Sequence, residues 1–146
     1  MKDINQPIRK AFYEALNGNL SYNGVNVPVS DEALKSTDEN KSYYVLLSTQ
    51  SSRDASTKTS DDREATIVLD IVTKTQRVTK SICDNIAEQI LDHIYTAPHV
   101  HTLTAPANWQ FLLLRLSDDR HLTLSVPDSV SVVRRLLTFS LRVVQN

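Results

Sequence analysis

The sequence predicts an α+β fold: a mainly antiparallel β-sheet, a long amphipathic helix packed on one face, a short N-terminal helix and an extended polar hairpin arm. Three observations carry this expectation. Val78, Ile82, Ile86, Ile90 and Ile94 recur every fourth residue, with Lys80, Asp84, Glu88 and Asp92 on the other side, the signature of a helix with one buried face. From Val130 to Val144 the chain alternates: Leu137, Phe139, Leu141 and Val143 share one side, and Thr138, Ser140 and Arg142 the other. Several strand-like runs are separated by only two helical segments, which favours α+β over an alternating parallel architecture.

In chain order, Ile4, Ile8, Ala11, Phe12, Ala15 and Leu16 form a first helical stripe, with Asp3 or Asn5 to cap it and Asn17-Gly18 to stop it. Asn23-Gly24 between short apolar arms predicts a tight hairpin, because both turn positions favour positive φ. Pro28 cannot donate to a sheet ladder, so the second arm is expected at an edge or to end there. Residues 30–41 are polar, with a helical turn expected around Glu32-Ala33-Leu34. A strand is expected from Tyr43 to about Gln50, and Ala65–Val72 is a second, suited to the sheet centre.

Between these strands residues 51–63 (SSRDASTKTSDDR) hold no large apolar side chain, and are read as a long hairpin arm or a loop. The long helix must end by Pro98. Trp109–Leu116 and His121–Val126 are expected as two strands joined by a turn at Ser117–Arg120, with a bulge near Arg134-Arg135 in the closing strand.

The chain has 146 residues and a formal net charge of −1, which matches one domain spanning 1–146 without the global charge of a nucleic-acid binder. Val, Ile and Leu number 39, enough for a substantial core. A lone cysteine, Cys83, excludes an intramolecular disulfide framework. No run of 18 apolar residues appears, and the N-terminus leads into an amphipathic stretch, so synthesis in a reducing cytoplasm without a membrane span is expected.

Chemistry-bearing patterns are sparse. Two glycines, Gly18 and Gly24, leave no room for a phosphate-cradling loop. His99 and His101, with His93 or His121, are a metal-ligand possibility set against a polar loop that contains histidines. Cys83 lies on the apolar side of its helix, where a free thiol is ordinarily a small buried hydrophobe. Asp61-Asp62 and Asp118-Asp119 read as solvated turn carboxylates more readily than as an acid/base pair. Arg53, Lys58, Arg63 and Arg134-Arg135 form a basic set without interleaved aromatics to stack bases. No enzyme, metal or cofactor is expected. A sharper reading of the arm makes Arg53, Asp54, Lys58, Asp61, Asp62 and Arg63 an intersubunit or lumen-facing surface that pairs polar groups across a repeated interface.

The hairpin exit Asn26-Val-Pro-Val-Ser-Asp-Glu32, the strand Ser42-Tyr-Tyr-Val-Leu-Leu47, the polar arm, Ala65–Val72, the helix Ser81–Ile94 and the closing RRLLTFSLRVV of residues 134–144 together resemble the tail-completion or tail-terminator family of tailed bacteriophages. The resemblance covers nearly the whole chain in element order. It implies a non-catalytic virion subunit of the neck or tail, assembled as a hexamer, or as a dodecamer when matched to a portal. Such a ring joins portal or connector to tail proteins, with at most non-specific contact to transiting DNA and no contact with membrane. The alternative reading is a non-viral α+β adaptor or binding domain, also without catalysis.

Overall fold

The computed structural model describes residues 3–31, 42–58, 61–75, 80–124 and 130–145. Helix α1 spans Asn5–Leu16 and is followed by the short strands β1 (Ser21–Tyr22), β2 (Val25–Asn26) and β3 (Val29–Ser30). Two long strands, β4 (Tyr43–Asp54) and β5 (Asp61–Thr75), lead into helix α2 (Ser81–Ile94). A small pair, β6 (Tyr95–Ala97) and β7 (Val100–His101), precedes the long strands β8 (Trp109–Leu124) and β9 (Ser131–Gln145).

Among the described residues the main sheet has five strands, in the order β3-β4-β5-β9-β8. Only β3, at one edge, runs parallel to its neighbour; the other pairings are antiparallel. The expected centrality of Ala65–Val72 holds, since β5 pairs with β4 on one side and β9 on the other. Pro28 falls between β2 and β3, where its carbonyl accepts the Val45 N–H at 2.9 Å, so its missing donor is not needed.

Both helices lie on the same side of the sheet. Ala65, Ile67, Leu69 and Ile71 of β5, with Val133, Leu137, Phe139, Leu141 and Val143 of β9, meet Ile8, Phe12 and Leu16 of α1 and Ile86, Ala87 and Ile90 of α2 in one buried cluster. Phe12 and Phe139 rings tilt together at 5.4 Å. Each fully buried Ile or Phe contributes about 2 kcal/mol of transfer free energy, so this seam dominates the attachment of the helices. Cys83 sits in it, its Sγ 3.4 Å from the Val133 carbonyl, and burial pushes its thiol pKa up.

Local signals account for the turns but not for the helix starts: Ile4 and Lys80 are the N-caps of α1 and α2 and make no side-chain capping bond, so neither Asp3 nor Asn5 is the cap of α1, although Asp3 Oδ1 accepts the Asn5 N–H at 3.2 Å. Gly18 takes φ +78° just past the end of α1. Asn23 and Gly24 have φ of 51° and 75°, as their hairpin requires. Gln89 of α2 clasps this hairpin, donating to the Ser21 carbonyl at 2.7 Å and accepting the Ser21 N–H at 3.0 Å.

Of the two readings of residues 51–63, a long hairpin arm or a loop, the described residues take the first: Ser51–Asp54 and Asp61–Arg63 are the far ends of β4 and β5, paired in a hairpin, and Asp61–Arg63 also pair with Val143–Gln145 of β9. The fifteen residues of β9 run the full length of β5 and draw this polar stretch into the sheet. Two expectations are corrected. Ser117–Arg120 is not a turn: the chain from Trp109 to Leu124 is one strand with two irregularities, between Leu112 and Arg115 and between Leu116 and Asp118. Nor does β9 have a bulge at Arg134-Arg135, since its register with β5 is unbroken from Ser131 to Gln145. The doublets Val132-Val133 and Leu136-Leu137 interrupt the alternation because Val132 and Leu136 are apolar residues on the sheet face away from the helices. The expected turn around Glu32 lies outside the described residues.

Candidate assembly surface

With both helices on one face, the other face of the sheet has no element over it among the described residues. Strand alternation and register place on this open face Glu64, Thr66, Asp70 and Val72 of β5, and Val132, Arg134, Leu136, Thr138, Ser140 and Arg142 of β9. Tyr44, Leu46 and Arg53 of β4, and Leu112, Arg115, Asp118, Arg120, Leu122 and Leu124 of β8, lie on it as well.

Charge pairs cross the strands of this face. Arg134 Nε donates to Asp70 Oδ1 at 3.2 Å and its Nη2 to Asp70 Oδ2. Arg142 donates from Nε (3.0 Å) and Nη2 (2.5 Å) to one oxygen of Asp62, leaving Asp62 Oδ1 buried with no hydrogen-bond partner. Arg53 Nε reaches Glu64 Oε2 at 2.7 Å. Asp62 and Asp70 are buried beneath their guanidiniums, and the hydrogen bond to Asp70, with its negative charge, holds the Arg134 pKa above the ordinary arginine value. Shielding their acids in this way, the arginines present their outer edges to solvent. Toward the β4–β5 turn the face hollows into a groove lined by Ser51, Arg53, Thr66, Arg115, Ser140 and Arg142, with Leu113 at its rim.

Apolar side chains interrupt this polar face. Leu112, Leu122 and Leu124 of β8 are 41%, 46% and 62% exposed. Leu113, at the first irregularity, takes φ +53° and is 71% exposed, since a bulge re-aims the side chain it inserts. A solvated antiparallel face usually carries polar residues at such positions, so the leucines stand out as exposed apolar area on β8.

The residues singled out from the sequence scatter across the molecule. Arg53 pairs with Glu64; Asp54 Oδ1 accepts the Ser56 N–H at 2.9 Å, and bonds from Ser56 keep its carboxyl below the ordinary value. Ser56 Oγ donates to Asp61 Oδ1 at 3.2 Å, while Lys58 is exposed in the turn. Asp62 belongs to the Arg142 pair, and Arg63 stands opposite Asp54 in the ladder. The structure thus brings Arg53 and Asp62 to the open face and spreads the others along the end of the sheet.

The basic set does not form one patch. Adjacent on β9, Arg134 and Arg135 point to opposite sides: Arg135 turns to the helix side, where it donates to Asp119 (2.9 and 2.6 Å) and to Asp84 of α2 (2.9 Å). The guanidinium of Arg135 holds the Asp119 carboxyl below its ordinary value. His121 Nε2 lies 3.1 Å from Asp84, and His101 Nε2 lies 2.7 Å from the Phe111 carbonyl. Among the described residues no three His, Cys, Asp or Glu side chains gather in a way that holds a metal ion, and no helix there is long and apolar enough to cross a membrane. Of the open face, the sequence reading registered the stripe Thr138, Ser140 and Arg142. It missed the exposed leucines of β8, which a turn at Ser117–Arg120 had placed in separate strands.

No family model matches this chain, and neither does any curated protein. Among solved structures, a chain in the virion of a native gene transfer agent particle superposes with a TM-score of 0.73 at 18% sequence identity, over 99% of this chain and 99% of that one. At that identity the likeness is one of fold, over nearly the whole of both chains.

Proposed function

We propose that this chain is a structural subunit of a phage-like virion. It assembles as a homo-oligomeric ring at the head–tail junction, joins portal or connector to the tail, and lines the DNA passage. The observation that carries this reading is the end-to-end likeness in fold to a chain of the gene transfer agent virion, with 99% of each chain included.

The open face supports the same reading. A subunit that works by packing needs a broad surface with its charges pre-paired and some apolar area uncovered, which is what the arginine–carboxylate ladder and the β8 leucines supply. In this role the chain acts without catalysis or cofactor, in the virion after synthesis in the bacterial host cytoplasm.

The test is genetic and compositional. Mass spectrometry of purified particles is expected to find the chain at a fixed small copy number, and disruption of its gene to leave filled heads and tails unjoined. Particles that lack the chain, or that assemble and infect normally without it, would refute the proposal.

A further inference from the structure

The small hairpin of β6 and β7 holds the first irregularity of β8 from both sides. Tyr95 and His101 stand opposite one another in this hairpin. Tyr95 Oη donates to the Leu114 carbonyl at 3.1 Å, and His101 Nε2 bonds the Phe111 carbonyl at 2.7 Å. A carbonyl only accepts, so the ring proton sits on Nε2, while Nδ1 is buried with no partner among the described residues. The hairpin is tied in turn to the end of α2. The Thr102 N–H donates to the Ile94 carbonyl at 2.7 Å, and Thr102 Oγ1 to the His93 carbonyl at 2.7 Å.

Between those two carbonyls β8 carries one residue more than β9. Leu112 stands opposite Arg142 and Arg115 opposite Ser140, which leaves Leu113 and Leu114 together against Leu141. With the extra residue there, Phe111 comes opposite Val143 and is buried, and Leu112 turns to the open face. Without it the end of the strand slips by one: Leu112 comes opposite Val143, and Phe111 turns outward. Phe111 and Leu112 are both apolar, so hydrophobicity discriminates weakly between the two registers. The carbonyls discriminate between them. Successive residues of an antiparallel strand aim their carbonyls to alternate sides, so the slip turns the Phe111 carbonyl away from His101.

We propose that the β6–β7 hairpin is a latch on the register of β8. Tyr95 and His101 hold the extra residue at Leu113, and so decide that Phe111 enters the core while Leu112 stays on the open face with Leu113 at the groove rim. The two bonds offset the left-handed backbone of Leu113, at φ +53°. Released, the strand end relaxes into the unbulged register. The apolar content of the open face is thereby set from the end of α2, through side chains that belong to a different sheet. The latch is a property of the single chain and does not depend on the virion reading.

The test is nuclear magnetic resonance of the full chain, where cross-strand contacts between backbone protons report the register directly. In the parent, Phe111 is expected to contact Val143. In Tyr95→Phe/His101→Ala that contact is expected to pass to Leu112. A thiol introduced by Leu112→Cys can be labelled selectively, because the chain's own Cys83 is buried. In the latchless background it is expected to label on the order of tenfold more slowly than in the parent, having moved into the core. His101→Gln keeps a donor at similar reach and is expected to retain the parent contacts. Should the double variant lose its cooperative melt, Tyr95→Phe alone, which removes one oxygen, is read in the same way. Phe111–Val143 contacts that persist without the latch would overturn the proposal, because the sheet then fixes the register by itself. So would loss of both contacts with faster labelling at Leu112→Cys, since the hairpin would then only keep the strand end from fraying.

Discussion

Single residues reveal where this chain departs from its local preferences. Leu113 holds a left-handed backbone, which costs a branched side chain about 1 kcal/mol, and being 71% exposed it recovers little by burial. Leu113→Gly is therefore expected to raise the melting temperature by about 3 °C, measured by circular dichroism; a lower value would mean that Leu113 is held by packing. Asp119 gives a pH signature. Its carboxyl is depressed below 3.8 in the folded chain by Arg135, so its stabilisation is complete above that value and is lost as pH falls through the folded-state pKa. Asp119→Asn is expected to narrow the stability gap to the parent steadily below about pH 4 in urea titrations, with the largest gap at neutral pH. A gap constant with pH would mean that the Arg135 pair contributes nothing through the charge of Asp119.

At the level of elements, the two faces of the sheet obey different rules. On the helix side, Ile90 of α2 is fully buried among apolar neighbours, and Ile90→Asp is expected to abolish folding, since an unpaired buried charge costs more than the whole stability of a domain this size. A retained cooperative melt would show that α2 can lift off the sheet. On the open side, Arg134→Ala strands the buried Asp70 carboxylate. Because the Arg134 side chain is 42% exposed, water partly replaces it, and the expected loss is about 2 kcal/mol, below that of a fully enclosed pair. The double change Arg134→Met/Asp70→Leu is expected to regain most of that loss by denaturant titration. The same element view explains β8. Charges and bulges in an edge strand hinder indiscriminate strand pairing, so Asp118, Asp119 and Arg120 serve an edge where the sequence alone reads them as a turn.

For the whole molecule, one buried cluster runs from Ile4 in front of α1 to Val143 near the end of β9. Chemical denaturation is accordingly expected to show a single transition, coincident by Trp109 fluorescence and far-ultraviolet circular dichroism. Two separated transitions would divide the chain into independent units. The global balance of −1 comes from charges of both signs on both surfaces: Arg115, Arg120 and Asp118 on the open sheet face, Lys80, Glu88 and Asp92 along α2.

The helices, the Asn23-Gly24 hairpin, the centrality of Ala65–Val72 and the absence of a glycine-rich loop were legible in the sequence because they depend on local periodicity and on backbone freedom at particular positions. Tertiary structure alone decided the rest. Whether residues 51–63 form a hairpin arm or a loop depends on pairing with β5 and on the reach of β9, some eighty residues later in the chain. Whether Ser117–Arg120 turns or extends depends on the strand beside it, because a bulge admits turn-forming residues into a ladder that a neighbour already holds. Arg134 and Arg135 look like one basic pair in sequence, yet the two-residue period of a strand sends them to opposite faces, one to Asp70 on the open face and one toward α2. Which face remains open was likewise settled by where the two helices pack, a choice made by long-range burial and not by any segment's own preference.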